Sequence, residues 1–180
     1  MLIALSGIAA PVWPLEVLRL EIREEGRGYG VEFEALLAAE PRAVMAVLTD
    51  YASYPDLDAL ILEARVIGEE SGRPVLFTRM RGCVGSIFCR TMERYDSLEE
   101  QPEELRANVV PGRGDLVSGS TVTGVTAAEG GSHVHYQTVF TPSFWMPRRL
   151  VRRAMRKTLG ESTLAMFAAI EQRAAAAAPP

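Results

Sequence analysis

Apolar and polar positions alternate at strand period along most of this chain, and the alternation gives way to helical spacing in two places. "LEVLRLEIREEG" followed by "GRGYGVEFEALLAAE" reads as two extended runs around a Gly-rich break, a hairpin. At Pro41 the period changes. In "PRAVMAVLTD", Val44, Val47 and Leu48 fall at helical spacing and the proline suits a first turn, which predicts a short helix. "SYPDLDAL" is compact and turn-rich, and one further helical turn is expected there, entered at Pro55 with Asp56 favourably placed near its start. From Ile61 to Phe140 the runs "ILEARVIGEE", "PVLFTRMRG", "SIFCRTMERYD", "ELRANVV", "LVSGSTVTGVTAAE" and "SHVHYQTVFTP" predict six short strands in a meander, with Gly, Pro or acidic clusters between them. In the last segment Val151, Met155, Leu159, Met166 and Ile170 recur at helical spacing with charges between them. This predicts one long amphipathic helix that tolerates Gly160.

A twisted antiparallel sheet exposes an apolar face, and one amphipathic helix laid across it covers that face. The expected fold class is therefore α+β: a curved antiparallel sheet wrapped around a long C-terminal helix, with two short helices after the first strands. One helix cannot fill the concavity of a seven- or eight-stranded sheet. The apolar space left between them is a candidate ligand pocket.

A chain of 180 residues fits one domain. The expected limits are residues 15–173, preceded by an apolar arm or possible leader over 1–14 and followed by a frayed tail over 174–180. With 48% hydrophobic and 23% charged residues the composition is ordinarily globular, which excludes disorder as the basis of function. Charge is uneven: residues 141–180 hold seven Lys/Arg against two Asp/Glu, so the remainder is acidic and a nucleic-acid footprint over the whole protein is not expected. "LIALSGIAA" has the length of a signal-peptide core, but no Lys or Arg precedes it, and it is too short to span a bilayer. Export, if that run is a leader, and a cytoplasmic location otherwise both remain open.

Cys83 and Cys89 lie six residues apart in apparently extended chain. At ~3.3 Å per residue they would sit ~20 Å from each other, beyond disulfide reach unless the chain folds back. Both are read as small core or strand residues. No Cys/His ligand cluster suggests zinc. His133 and His135 share one side of the last strand, as a metal site needs, yet that face reads as solvent and the sequence offers no third ligand, so neither a metal nor another cofactor is expected. No nucleophile elbow or Gly-rich phosphate loop appears, and "GRGDLVSGS" sits between strands instead of before a helix. Arg79, Arg81, Arg90 and Glu93 lie on strands, where a cyclase would use inward-facing groups of this kind to polarise a carbonyl or move a proton. The favoured reading turns them to water.

The stretch "EPRAVMAVLTDYASYPDL", of the form P-x-x-V-x-x-V-L-x-D-Y-x-x-Y-P, resembles the START-like or polyketide cyclase/dehydrase superfamily with its helix-grip fold, and is most similar to the bacterial branch related to coenzyme Q-binding proteins. The likeness continues through "ILEARVIGEE", "SHVHYQTVFTP" and the basic C-terminal helix, over roughly residues 28–173. It implies a cavity for a lipid, quinone, sterol or polyketide. It does not decide catalysis, because one fold hosts carriers and cyclases alike. Where relatives commonly carry an aromatic, this chain has "SGSTVTGVT", implying a wider cavity on that side or a thinner sheet.

Tyrosine suits a cavity rim, with an apolar body and a hydroxyl that needs a partner. Tyr51 and Tyr54, with Leu57 and Leu60, are therefore candidates for the cavity mouth; the competing reading has the tyrosines cap the sheet edge and pack the short helices. On the sheet side the candidates are Ile87, Val109, Thr123, Tyr136 and Phe140, the last two on the inward face of the closing strand. On the helix side they are Met155, Leu159 and Met166. Arg148, Arg149, Arg152, Arg153, Arg156 and Lys157 place six cations within ten residues, just after Phe144 and Trp145. Such a cluster attracts anionic headgroups at about 1 kcal/mol per charge, so an anionic membrane surface is a second possible partner beside a hydrophobic small molecule. The sequence reading is a non-catalytic binder or carrier; the alternative is a cyclase or dehydrase. The cyclase needs an inward acid or base, for which the sequence suggests only Arg90 and Glu93, and these cannot both face inward on one strand.

Overall fold

The structure, a computed structural model, describes residues 15–84, 88–144 and 148–177. The hairpin read from the first two runs is β1 (Glu16–Glu25) and β2 (Gly28–Leu37). Helix α1 (Pro41–Leu48) follows, opened by Pro41 as expected. A 3-10 turn (Tyr51–Ser53) then leads into the single-turn helix α2 (Tyr54–Leu57). The meander comprises β3 (Ile61–Glu70), β4 (Arg73–Val84), β5 (Phe88–Gln101), β6 (Glu104–Val109), β7 (Leu116–Ala128) and β8 (Gly131–Pro142). Helix α3 (Arg148–Ala176) closes the described chain and runs straight through Gly160.

All strand pairs are antiparallel, in the order β1-β2-β8-β7-β6-β5-β4-β3. The first hairpin thus joins the last strand, and α1 and α2 carry the chain from β2 to the opposite edge. The curved sheet, the long helix and the two short helices make the helix-grip architecture.

The sheet and α3 pack most densely around Phe167 and Ile170. Alternation along β2 sends Phe33, Ala35 and Leu37 inward, where they meet Val125 of β7 and Val134 of β8. From α3, Phe167, Ile170 and Ala174 enter this layer, and α1 adds Val44 and Leu48. Phe33 and Phe167 stack with centroids 4.7 Å apart, and Tyr136 meets Phe167 edge-on at 5.3 Å. Glu171 fastens the same end, accepting hydrogen bonds from the Leu15 and Ala38 amides at 3.0 and 2.8 Å. Gly160 has a packing reason: a Cβ there would stand 3.3 Å from Ile22 Cδ1, so glycine lets α3 approach β1 closely.

The cysteine reading is overturned. Cys83 and Cys89 form a disulfide, with Cα atoms 4.0 Å apart. The segment from Cys83 to Cys89, taken as extended chain, instead joins the two arms of a hairpin: β4 continues to Val84, β5 begins at Phe88, and Cys83 pairs directly with Cys89 in the ladder. The chain reversal between them removes the separation that extended geometry implied.

Candidate ligand cavity

Between the sheet and the stretch of α3 from Met155 to Met166, a cavity opens. It has two lobes of about 160 Å³ each. Together they reach the lower end of the ~300–1,000 Å³ range typical of small-molecule sites. The outer lobe lies beneath Met155, Leu159 and Ser162 of α3 and is walled by Leu60, Met92 and Phe140. The inner lobe lies between Tyr54, Leu57 and Ile61 on one side and Leu98, Leu105 and Thr123 on the other. Asp58, Met80, Arg94, Tyr136 and Met166 border both lobes and form the waist between them.

The waist carries the polar chemistry. On β5, residues 92, 94, 96 and 98 point inward, placing Arg94 and Asp96 between Met92 and Leu98. Arg94 Nε donates to Asp96 Oδ2 at 2.6 Å, and its Nη2 donates to Thr121 Oγ1 at 3.1 Å. Thr121 in turn shares a 2.8 Å hydrogen bond with Thr138. Burial alone would push the Arg94 guanidinium down, but the Asp96 carboxylate outweighs it and raises the pKa, keeping Arg94 a cation. Burial also raises Tyr136 above the ordinary tyrosine value, against the opposing pull of Arg94 and Thr138, so its ring presents a neutral hydroxyl. The two groups are a fixed positive donor and a neutral phenol facing an apolar hollow. In such surroundings each is electrostatically stronger than in water.

Most of the candidate lining residues meet here. Tyr54, Leu57 and Thr123 line the inner lobe, Leu60, Phe140, Met155 and Leu159 the outer one, and Tyr136 and Met166 both. Tyr51 and Val109 are buried but form no part of either wall. Tyr51 donates to Glu100 Oε1 at 2.6 Å and packs edge-on against Tyr54, whose hydroxyl donates to the Leu48 carbonyl at 2.6 Å. Burial raises both tyrosine pKa values. The two hydroxyls that sequence placed at a mouth therefore anchor the 3-10 turn and α1, and only the Tyr54 ring reaches the cavity. Ile87 and Trp145 lie outside the described residues.

Among the strand cations, Arg79 faces outward and pairs with Glu63 and Glu93. Arg81 and Arg90 stand instead at the outer lobe, with the Arg90 guanidinium 4.1 Å from the Phe144 ring centroid. Arg94 and Asp96 escaped the sequence reading because charges occupy both faces of β5. The available signal was an Arg-x-Asp pair in phase with Met92 and Leu98. Thr121 and Thr123 show what the hydroxylated "SGSTVTGVT" run contributes: two small polar side chains at the inner lobe.

Ser162 Oγ donates to Asp58 Oδ2 at 2.7 Å, tying α3 to the turn after α2 at the waist. In the basic segment, Arg148 and Arg149 occupy the first turn of α3, Arg152 pairs with Glu24 at 2.6 Å, Lys157 lies 3.7 Å from Glu161, and Arg153 and Arg156 are exposed. No described helix is long and apolar enough to cross a membrane. On the outer face of the sheet, β2 places two carboxylates beside one of the histidines, without His133: donor atoms of Glu32, Glu34 and His135 lie within 4.8 Å of one another. Those carboxylates are already engaged, Glu32 by Arg19 and Arg23, and Glu34 by His133 at 3.7 Å.

A curved eight-stranded sheet closed by one helix over an apolar hollow is the helix-grip fold. The family described as polyketide cyclase / dehydrase and lipid transport matches residues 30–171, and the chain belongs to it. Solved structures share the fold. The Thermus thermophilus protein TTHA0849 is 16% identical, with TM-score 0.68 over 83% of this chain and 99% of that one. A STAR-related lipid transfer protein fragment from Xanthomonas axonopodis is 14% identical, with TM-score 0.60 over 87% and 98%. The Zhui aromatase/cyclase from a Streptomyces species is 16% identical, with TM-score 0.58 over 81% and 93%. No match was found among curated protein sequences.

Proposed function

We propose that the protein binds a hydrophobic small molecule, lipid-, quinone- or polyketide-like, in the two-lobed cavity and carries it unchanged. The observation that supports this reading is the cavity: apolar walls from both sheet and helix converge on the few polar groups at its waist. Apolar burial at ~25 cal/mol per Å² supplies the affinity. The modest volume favours a compact ring system over a long isoprenoid chain. Affinity with the coenzyme Q-binding branch is therefore proposed at the level of the quinone-like ring. Entry occurs by movement of the N-terminal half of α3, which lacks the aromatic packing of the other half. Native mass spectrometry of the purified protein tests the reading: a retained or exchangeable hydrophobic molecule is expected, and a protein that neither retains nor takes one up contradicts it.

Arg94 favours a second reading, cyclase or dehydrase chemistry. A ketone oxygen at the waist would be polarised by the guanidinium while a carboxylate accepts a proton from the neighbouring carbon. Turnover of a poly-β-ketone mimic, lost in Arg94→Lys, is the expected signature; no turnover by the native protein removes this reading.

Docking on an anionic membrane surface is compatible with the carrier. It would use the basic segment from Arg148 to Lys157, in which Arg153 and Arg156 are exposed while Arg152 and Lys157 have acidic partners. Vesicles containing phosphatidylserine are expected to retain the protein at low salt, and Arg153→Glu with Arg156→Glu to weaken retention. Equal binding to neutral vesicles would eliminate docking by charge.

A further inference from the structure

The waist of the cavity holds a polar atom with no partner. Asp96 is 2% exposed and lines the inner lobe. Its Oδ2 is taken by Arg94, but Oδ1 is buried and makes no hydrogen bond among the described residues. Buried carboxylate oxygens are ordinarily satisfied, because an ionised acceptor removed from water forfeits strong hydrogen bonds. Of the neighbouring hydroxyls, Thr121 and Thr138 bond to each other, and Tyr54 donates to Leu48. The guanidinium is incompletely used as well. Arg94 contacts Asp96 through Nε and Thr121 through Nη2, leaving Nη1 without a recorded partner among the described residues.

We infer that Asp96 makes this cavity selective for an uncharged ring compound bearing a hydroxyl, a phenol or enol, which donates its proton to Asp96 Oδ1. The inference rests on the ligand-binding reading and narrows its ligand class. Two considerations fix the chemistry. The atom left over is an acceptor, so the ligand must supply a donor; a ketone, ester or quinone oxygen facing Oδ1 would set two acceptors against each other. The charge of Arg94 is already balanced by Asp96 at 2.6 Å, so the waist has no net positive charge for a carboxylate, and a fatty acid headgroup would bring a second anion against Asp96. A hydroxyl satisfies both conditions, because its oxygen can also accept from Arg94.

The test compares naphthalene, naphthol and naphthoate by isothermal titration calorimetry on the intact protein. A hydrogen bond to a charged acceptor corresponds to roughly tenfold to a hundredfold in affinity. Naphthol is expected to bind tighter than naphthalene by that factor, with naphthoate the weakest of the three. In Asp96→Asn the amide oxygen keeps the contact with Arg94 and its NH2 group replaces Oδ1 by a donor. The naphthol advantage should then shrink to that of methoxynaphthalene, an acceptor only, which gains. The comparison in the native protein needs no variant, so an unfolded Asp96→Asn does not rescue the inference. Naphthalene and naphthol binding equally would overturn the hydroxyl selectivity and leave the carrier reading intact. Failure of all three to bind, in a protein that also carries no hydrophobic molecule, would overturn both.

Discussion

Arg94 is the residue on which stability and recognition meet. Its ion pair with Asp96 is the most enclosed in the described chain, with side-chain exposures of 15% and 3%. Removing one member of such a pair strands the other charge, which costs about 3–5 kcal/mol, whereas replacing both by apolar groups is often neutral. Arg94→Met is therefore expected to lower the urea midpoint sharply, and Arg94→Met with Asp96→Leu to recover most of the loss. If the single variant proves as stable as the native protein, the waist is wetter than its burial indicates. The Cys83–Cys89 bridge acts on the unfolded chain. With a sequence separation of 6 it closes a small loop, and chain-entropy reasoning assigns it about 2 kcal/mol. Denaturation with and without a reducing agent should differ by that amount, and no difference would show that the β4–β5 hairpin is held by its ladder alone.

Helix α3 behaves as two halves joined near Met166. The C-terminal half is riveted by Phe167, Ile170 and Ala174, and by Glu171 on two backbone amides. The N-terminal half covers the outer lobe with Met155 and Leu159, both only partly buried, and Ser162 ties it to Asp58. The sequence carried the periodicity of both halves but could not distinguish them, because Met155, Leu159, Met166 and Ile170 look equivalent as apolar positions. The difference arises from what faces them: Phe167 and Ile170 border the inner lobe but are fully buried, with the Phe33 and Tyr136 rings on Phe167, whereas Met155 and Leu159 are partly buried over the outer lobe. The element order was legible for the same reason, since period and turn residues are local properties. The cysteine pairing and the two carboxylates beside His135 depend on strand register, which a single sequence does not state, while the inward turn of Arg94 and Asp96 was hidden by charges on both faces of β5. Ser162→Ala removes the only side-chain hydrogen bond between α3 and the α2–β3 turn among the described residues. Amide hydrogen exchange in residues 152–162 is expected to speed up, while exchange around Ile170 stays unchanged. Uniform acceleration along α3 would mean that the helix opens as one body.

At the scale of the molecule, the dense end and the hollow end divide the labour of the fold: one fixes the grip, the other leaves room for a ligand. The division has a thermodynamic consequence that does not depend on knowing the ligand. Phe167 is 0% exposed, stacked on Phe33 and met edge-on by Tyr136, so Phe167→Ala should cost about 3–5 kcal/mol, the transfer term plus an uncollapsed cavity. Met155 and Leu159 already border empty space, and truncating them removes few contacts and creates little new void. Each should therefore cost less than the ~2–5 kcal/mol of Leu or Met to Ala substitutions in packed cores. The same truncations enlarge the outer lobe, so larger ring compounds should bind better than in the native protein even as stability barely moves. Chemical denaturation of the three variants, run beside titration with a naphthalene-sized and an anthracene-sized probe, measures both effects. If Met155→Ala and Leu159→Ala destabilise as much as Phe167→Ala, α3 is packed along its whole length, and the two lobes are not the room the ligand needs.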